Sequence, residues 1–450
     1  MTEKREKREK RKIRILLLIM IVLTIIGYLT TYPNALPLYQ RHLFTVEPTG
    51  FSLWFNGAFT VLCIWASVGE LIRYKKKKLI SDLILFDLNL LYFFPGFLMN
   101  AVFLTEEDYA ILYALFWLFL TLFGYIMQLF CKRTPLTVNV GGGFRYEWFY
   151  NNGIVIVFSS AILLVSLIYS NFSISIASLF NLSEVLEQRA ASSELNIHWL
   201  IWYPILCGSM ILPIWFTRAR KNNKIWQMIL IIISMCAMFS IGANRIFLFM
   251  LFFAVVISFW KDDDLLVLKG LIIVLGIVCI ENYLSTGYPI MNTARRILVT
   301  PNGESRFYVD FFKNNNPDWC RQLLERWLAP LGLGSRYSSR ISALIGSTYL
   351  GGSNCNTGLV GYSIANFGSA GMWIGPMLYT ISFAILNRIT IKIKHQKMLQ
   401  MMALIIALEV TNCFGWAEYL ILPSFLLLFY LLIFLMPADS KECNEEEDYD

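Results

Sequence analysis

Runs of about 20 apolar residues, the length of helix that crosses the hydrocarbon core of a bilayer, recur along almost the whole chain. They fall at approximately 13–32, 52–72, 79–103, 109–131, 153–174, 199–216, 226–241, 246–260, 264–283, 370–387, 398–414 and 420–436. This pattern predicts one all-α transmembrane domain of about twelve helices spanning residues 1–450, with no separate soluble domain. Composition agrees, because 57% of residues are hydrophobic and 15% charged, whereas a soluble domain is about half apolar and a quarter charged.

Eight basic residues between Lys4 and Arg14 precede the first run, which has no small-residue cleavage site. It therefore reads as an uncleaved anchor with a cytoplasmic N-terminus. Alternating the loops from there puts 27 of the 38 Lys and Arg residues inside. Arg73 with Lys75 to Lys78, Arg218 to Lys224 and Arg388 to Lys397 all flank short inner loops, as the positive-inside rule requires. Both ends are expected to be cytoplasmic, with residues 1–12 a basic leader and 437–450 an acidic tail.

One segment breaks this pattern. Residues 284–369 form a long outer loop between the ninth and tenth runs, and it holds Arg295, Arg296, Arg306, Lys313, Arg321, Arg326, Arg336 and Arg340 against Glu304, Asp310, Asp318 and Glu325. The inner cations are 10 Arg and 17 Lys, whereas the outer ones are 10 Arg and a single Lys. Guanidinium groups present a planar fork that binds phosphate or carboxylate in bidentate fashion, so an anionic ligand at the outer face is expected. The plainer alternative is that long loops escape the charge rule and these arginines pair with nearby carboxylates or headgroups.

Along the loop, an opening segment joins cations to turn residues Pro301-Asn302-Gly303 and to Phe307, Tyr308, Phe311 and Phe312, and reads as a built surface. Asn316 and Pro317 then suggest the start of an interfacial helix from Pro317 to Ala329, with Trp319, Leu323, Leu324, Trp327 and Leu328 at helical spacing. Residues 351–373 are apolar but interrupted by Gly358, Gly361, Gly368 and Gly371, which suggests a re-entrant or broken helix. Ser353, Asn354, Asn356 and Thr357 there suit sugar hydroxyls, and Gly358 would let a ligand approach the backbone. The nine cysteines show no metal-ligand spacing, although Cys320 and Cys355 share the outer loop and could pair.

The stretches ARRILVTPNGESRFYVDFF and NTGLVGYSIANFGSAG resemble the opening and closing of the large periplasmic loop in oligosaccharide repeat-unit polymerases, the O-antigen polymerases of the Wzy type. GANRIFLFM around Arg245 is similar to a short outer turn of that family, and Arg340, with Leu344 and Gly351, fits two arginine patterns described for some members. A second arginine pattern is not evident near Arg189 in the smaller outer loop, residues 175–198.

The resemblance implies a bacterial inner-membrane, metal- and cofactor-independent glycosyltransferase of O-antigen or capsule biosynthesis. Such enzymes transfer a growing glycan from undecaprenyl pyrophosphate onto the non-reducing end of a lipid-linked repeat unit at the periplasmic face. The partners implied are these lipid-linked oligosaccharides, membrane lipid and a chain-length regulator protein, with no nucleic acid. Negative charge grows on the departing pyrophosphate, so arginines are the expected stabilisers: Arg296 first, then Arg295, Arg245 and Arg306. Asp310 or Glu304 is the expected base, and Tyr308, Arg336, Arg340, Asn356 and Gly358 the expected substrate contacts.

Two other classes stay open. A lipid-linked oligosaccharide flippase also has about twelve spans, but usually two similar halves and cations within the spans, and no repeat is visible here. An O-antigen ligase often has a histidine in its outer loop, and residues 284–369 contain none.

Overall fold

A computed structural model describes residues 11–26, 50–103, 106–130, 148–170, 199–242, 246–260, 300–324, 331–351 and 358–412, together with residues 269, 272–273, 276, 355, 428 and 431. Every regular element among them is helical. Five stretches are long and apolar enough to cross a membrane: Gly50–Lys77, Ile80–Ala101, Glu107–Leu129, Phe149–Ser170 and Leu359–Thr390. Ile225–Ile241 and Ile246–Phe259 are apolar but shorter, and the runs at 264–283 and 420–436 lie mostly outside the described residues.

In chain order the helices are α1 (11–26), α2 (Gly50–Lys77), α3 (Ile80–Leu88), α4 (Phe94–Phe103), α5 (Glu107–Phe130), α6 (Ile154–Ser170), α7 (Trp199–Lys221), α8 (Ile225–Gly242) and α9 (Ile246–Phe259). After a gap come α10 (Thr300–Asn314), α11 (Ile341–Tyr349), α12 (Leu359–Phe367), α13 (Gly371–Thr390) and α14 (Gln396–Asn412).

The pair α3–α4 is the centre of the bundle and is buried on every side. Its axis is interrupted by a π-turn, Asn89–Phe93. Pro95 cannot donate to the carbonyl four residues earlier, and the widened turn before it re-aims Asn89 and Tyr92 toward different neighbours.

The short basic loops gather at one end of the bundle. Arg73 Nε contacts Asp82 Oδ1 at 3.3 Å across the α2–α3 turn, and the Ser81 backbone N–H donates to Asn387 Oδ1 at 2.9 Å, which brings the end of α13 alongside. Lys397 Nζ donates to Trp260 O at 2.9 Å, Arg220 lies 4.7 Å above the Phe259 ring, and Lys224 Nζ donates to Asn152 Oδ1 at 2.8 Å. The ends of α2, α7, α9 and α13 and the starts of α3, α6, α8 and α14 therefore share one basic face.

The segment from α10 to α12 lies at the opposite end. The expected helix over Pro317–Ala329 is not what forms: residues 319–324 are turns, Trp319 and Cys320 have positive φ (55° and 60°), and 325–330 lie outside the described residues. The cause is local competition for the backbone. Gln322 N–H donates to Asp318 Oδ2 at 2.6 Å, while the N–H groups of Trp319 and Cys320 donate to Asn366 O and Oδ1, at 2.9 and 3.1 Å. The glycine-rich return, in contrast, is a broken helix. The chain rises through α12, turns in Gly368–Ala370 where Gly368 takes φ 60°, and descends as α13.

Candidate functional site

Rather than covering the surface, α10 is inserted into it. Pro301, Asn302, Gly303, Ser305, Arg306, Phe307, Tyr308, Val309 and Phe312 are buried, so the expected surface turn at 301–303 is a buried first turn of helix. Pro at that position suits a helix start, where its missing N–H costs nothing. Asn302 anchors the turn: its Oδ1 accepts from Tyr113 Oη at 2.6 Å, its Nδ2 donates to Tyr92 O at 3.2 Å, and its backbone O accepts from Tyr109 Oη at 3.0 Å. One turn on, Ser305 Oγ meets Tyr92 Oη at 2.9 Å, and Tyr308 Oη donates to Cys355 O at 2.9 Å.

A second face of α10 carries charge. Arg306, 4% exposed, places Nη2 3.3 Å from Glu106 Oε1 just before α5. Asp310, one helical turn further and half-buried, accepts from Tyr349 Oη at 2.7 Å through Oδ2. The Tyr349 ring stacks on Phe307 at 5.0 Å, which fixes the hydroxyl. Burial first, and then the hydrogen bond and charge of Asp310, raise the Tyr349 hydroxyl above its usual range, so it remains a donor at neutral pH. Lys313 follows at the exposed end, 4.0 Å from the exposed Asp108, a pair of small energetic weight.

Around this helix, Arg336 and Arg340 project from the irregular segment before α11 and are exposed. Asp318 organises that segment: it is fully buried and accepts from the N–H groups of Gln322 and Arg336 and from Ser335 Oγ. The same face shows exposed apolar side chains at Trp319, Leu331 and Leu333, beside half-buried Arg321. Guanidinium groups next to apolar surface suit a ligand with an anionic head and an apolar tail.

Gly358 stands where α12 begins, buried between the π-turn and α14. A Cβ there would lie 2.7 Å from the Tyr92 ring and 2.9 Å from Thr411 O. Its missing side chain serves packing of the protein on itself.

Of the residues singled out in the sequence, Arg306, Tyr308, Asp310, Arg336, Arg340 and Gly358 are all at this end of the bundle, while Arg245, Arg295, Arg296 and Asn356 lie outside the described residues. Cys320 and Cys355 are separate buried thiols. Burial, followed by the neighbouring Asp318, pushes the Cys320 thiol up to about 12, and burial followed by Glu304 raises Cys355. Among the described residues no group of His, Cys, Asp and Glu is arranged to hold a metal ion.

Sequence reasoning did not find Glu106, Tyr349 or Ser305, and read Asn302 only as a turn residue. Their partners are 200, 39, 213 and 189 positions away, and no periodicity reports such distances. No protein-family model, curated protein or solved structure matches the chain.

Proposed function

We propose that the chain is a multi-pass polysaccharide polymerase of the bacterial inner membrane, of about twelve spans, working on undecaprenyl-pyrophosphate-linked oligosaccharides. In this reading the basic face is cytoplasmic, and the end bearing α10–α12 is periplasmic. The observation that carries it is the division of charge. Lysine-rich turns collect on one face, whereas the opposite end bears exposed Arg336 and Arg340 beside apolar side chains, with Arg306 and Asp310 one turn apart on α10.

In the reaction, the acceptor sugar's hydroxyl oxygen bonds to the anomeric carbon of the donor glycan, and the bond from that carbon to the pyrophosphate oxygen breaks. The hydroxyl proton passes to the Asp310 carboxylate, which Tyr349 holds in place. Undecaprenyl pyrophosphate leaves with the bonding electrons, and its growing charge is stabilised by Arg336 and Arg340 together with Arg295, Arg296 and Arg245. Arg306, buried and paired with Glu106, positions α10.

The test is genetic. Deleting the gene in its host should leave surface lipid carrying a single repeat unit in place of a ladder. Loss of every unit would instead indicate a flippase or ligase. Arg296→Ala and Arg296→Lys should both abolish the ladder while the protein still inserts, and a full ladder from Arg296→Lys would remove bidentate phosphate binding from the account.

A further inference from the structure

Helix α2 is inside out. Its outward face carries Leu53, Trp54, Val61, Leu62 and Trp65, while the residues it buries are Ser52, Asn56, Thr60, Cys63, Ser67, Glu70, Leu71 and Tyr74. Apart from Leu71 this stripe is built of polar, titratable or thiol groups, and it runs the length of the helix. A helix that turns apolar side chains outward and polar ones inward is lining a polar interior.

What it faces is equally polar. Helices α2 and α3–α4 run antiparallel, as fixed by Glu70 Oε2 accepting from Asn89 Nδ2 at 2.8 Å, Cys63 Sγ lying 3.5 Å from Asn89 Oδ1, and Phe59 stacking on Phe97 at 5.4 Å. That register sets Asn56 level with Asn100. At the basic end, Asp82 contacts Arg73 and accepts from Gln128 Nε2 at 2.5 Å. In the middle, Asn89 Oδ1 accepts from Trp117 Nε1 at 2.8 Å. At the other end Tyr113 meets Asn302 in the first turn of α10.

This seam is left partly unsatisfied. Asp82 Oδ2, Glu70 Oε1, Asn56 Oδ1 and both polar atoms of Asn100 are buried and have no hydrogen-bond partner among the described residues. Native interiors seldom tolerate one such group, and a row of them along one interface marks a place that takes up water or protons. Asp82 and Glu70, the two carboxylates of the seam, are both fully buried. The titratable and charged groups on the helices packed around α3 are Cys63, Glu70, Arg73, Tyr74, Lys75, Lys76 and Lys77 on α2, Glu107, Asp108, Tyr109, Tyr113 and Tyr125 on α5, Tyr379 and Arg388 on α13, and Lys397 and Glu409 on α14. Arg73 forms ion pairs with both seam carboxylates, 3.3 Å from Asp82 and 3.9 Å from Glu70.

We propose that the interface of α2 with α3–α4 is a proton pathway, with Glu70 and Asp82 as its exchanging groups, running from the basic face to the foot of α10. Each transfer moves one proton between a carboxyl oxygen and water or the next polar group, so no co-reactant is consumed. The pathway stands independently of the glycosyl-transfer reading.

The full chain, reconstituted into vesicles enclosing a pH-sensitive dye, is given a potassium diffusion potential with valinomycin. The pathway predicts acidification faster than in protein-free vesicles, unchanged when choline replaces sodium, and reduced to the protein-free rate by Asp82→Asn and by Glu70→Gln. Should those variants fail to reconstitute, Asn100→Leu, which interrupts the seam away from the carboxylates, is read in the same way. Wild-type flux no faster than in protein-free vesicles, or full flux from a reconstituted Asp82→Asn or Glu70→Gln protein, overturns the proposal, and flux lost in choline overturns it in favour of sodium.

Discussion

Arg306 combines a full guanidinium charge with almost complete burial, and its contact with Glu106 is what makes that tolerable. Removing one partner of a buried pair is costly because the other is stranded, yet Glu106 is 36% exposed and partly solvated. We therefore expect Arg306→Ala to destabilise the protein by roughly 1–3 kcal/mol, discounted for that exposure, and Glu106→Gln by less. Thermal melts of the two single variants and the double variant check this, and the double should be less damaged than the sum. The two loop cysteines give a second expectation. Because burial holds both as protonated thiols, proteins retaining Cys320 or Cys355 alone should resist maleimide until denatured and should migrate identically with and without reductant. The sequence placed these residues on the outer loop but could not show their depth, since burial is decided by helices from distant parts of the chain.

At the scale of the element, α10 and α12 are helices that rise from inside the bundle, and their entry points are set by small or hydrogen-bonding residues. Gly358→Ala would drive a methyl group into the Tyr92 ring and a backbone oxygen of α14 that cannot yield, so a loss of about 1–3 kcal/mol is expected. Gly57→Ala is the control: nothing lies within 4 Å of its added Cβ, and helix propensity favours alanine by roughly 0.5–1 kcal/mol. Comparing the two by heat or denaturant resistance separates close packing from general glycine intolerance. Apolar run length anticipated the five long apolar helices, and the interruptions at 351–373 were visible as glycines. Helical spacing failed at Trp319 to Leu324 because the Asp318 carboxylate and the exposed carbonyl end of α12 offered the backbone better partners than a helix would. The failure at Pro301–Gly303 has a different origin, for turn-forming residues also make good first turns.

For the whole molecule, the structure's clearest statement is its two-sidedness. Short loops rich in lysine and arginine meet on one face through contacts such as Arg73–Asp82 and Lys397–Trp260, as the charge count along the sequence anticipated, and α10–α12 occupy the other. Single cysteines introduced in a cysteine-free background at Asn222 and Lys394 should be labelled from the opposite side of the membrane to those at Lys313 and Ser338, and labelling of all four from one side would refute the two-sided arrangement. The proposed chemistry belongs to the second face and has its most direct test in reconstitution. Purified protein in lipid vesicles, supplied with undecaprenyl-pyrophosphate-linked repeat units, should produce a ladder of lengthened glycans and release undecaprenyl pyrophosphate, with Arg336→Ala and Asp310→Asn each shortening or abolishing the ladder. Unchanged repeat units in the presence of correctly inserted protein would contradict the polymerase account.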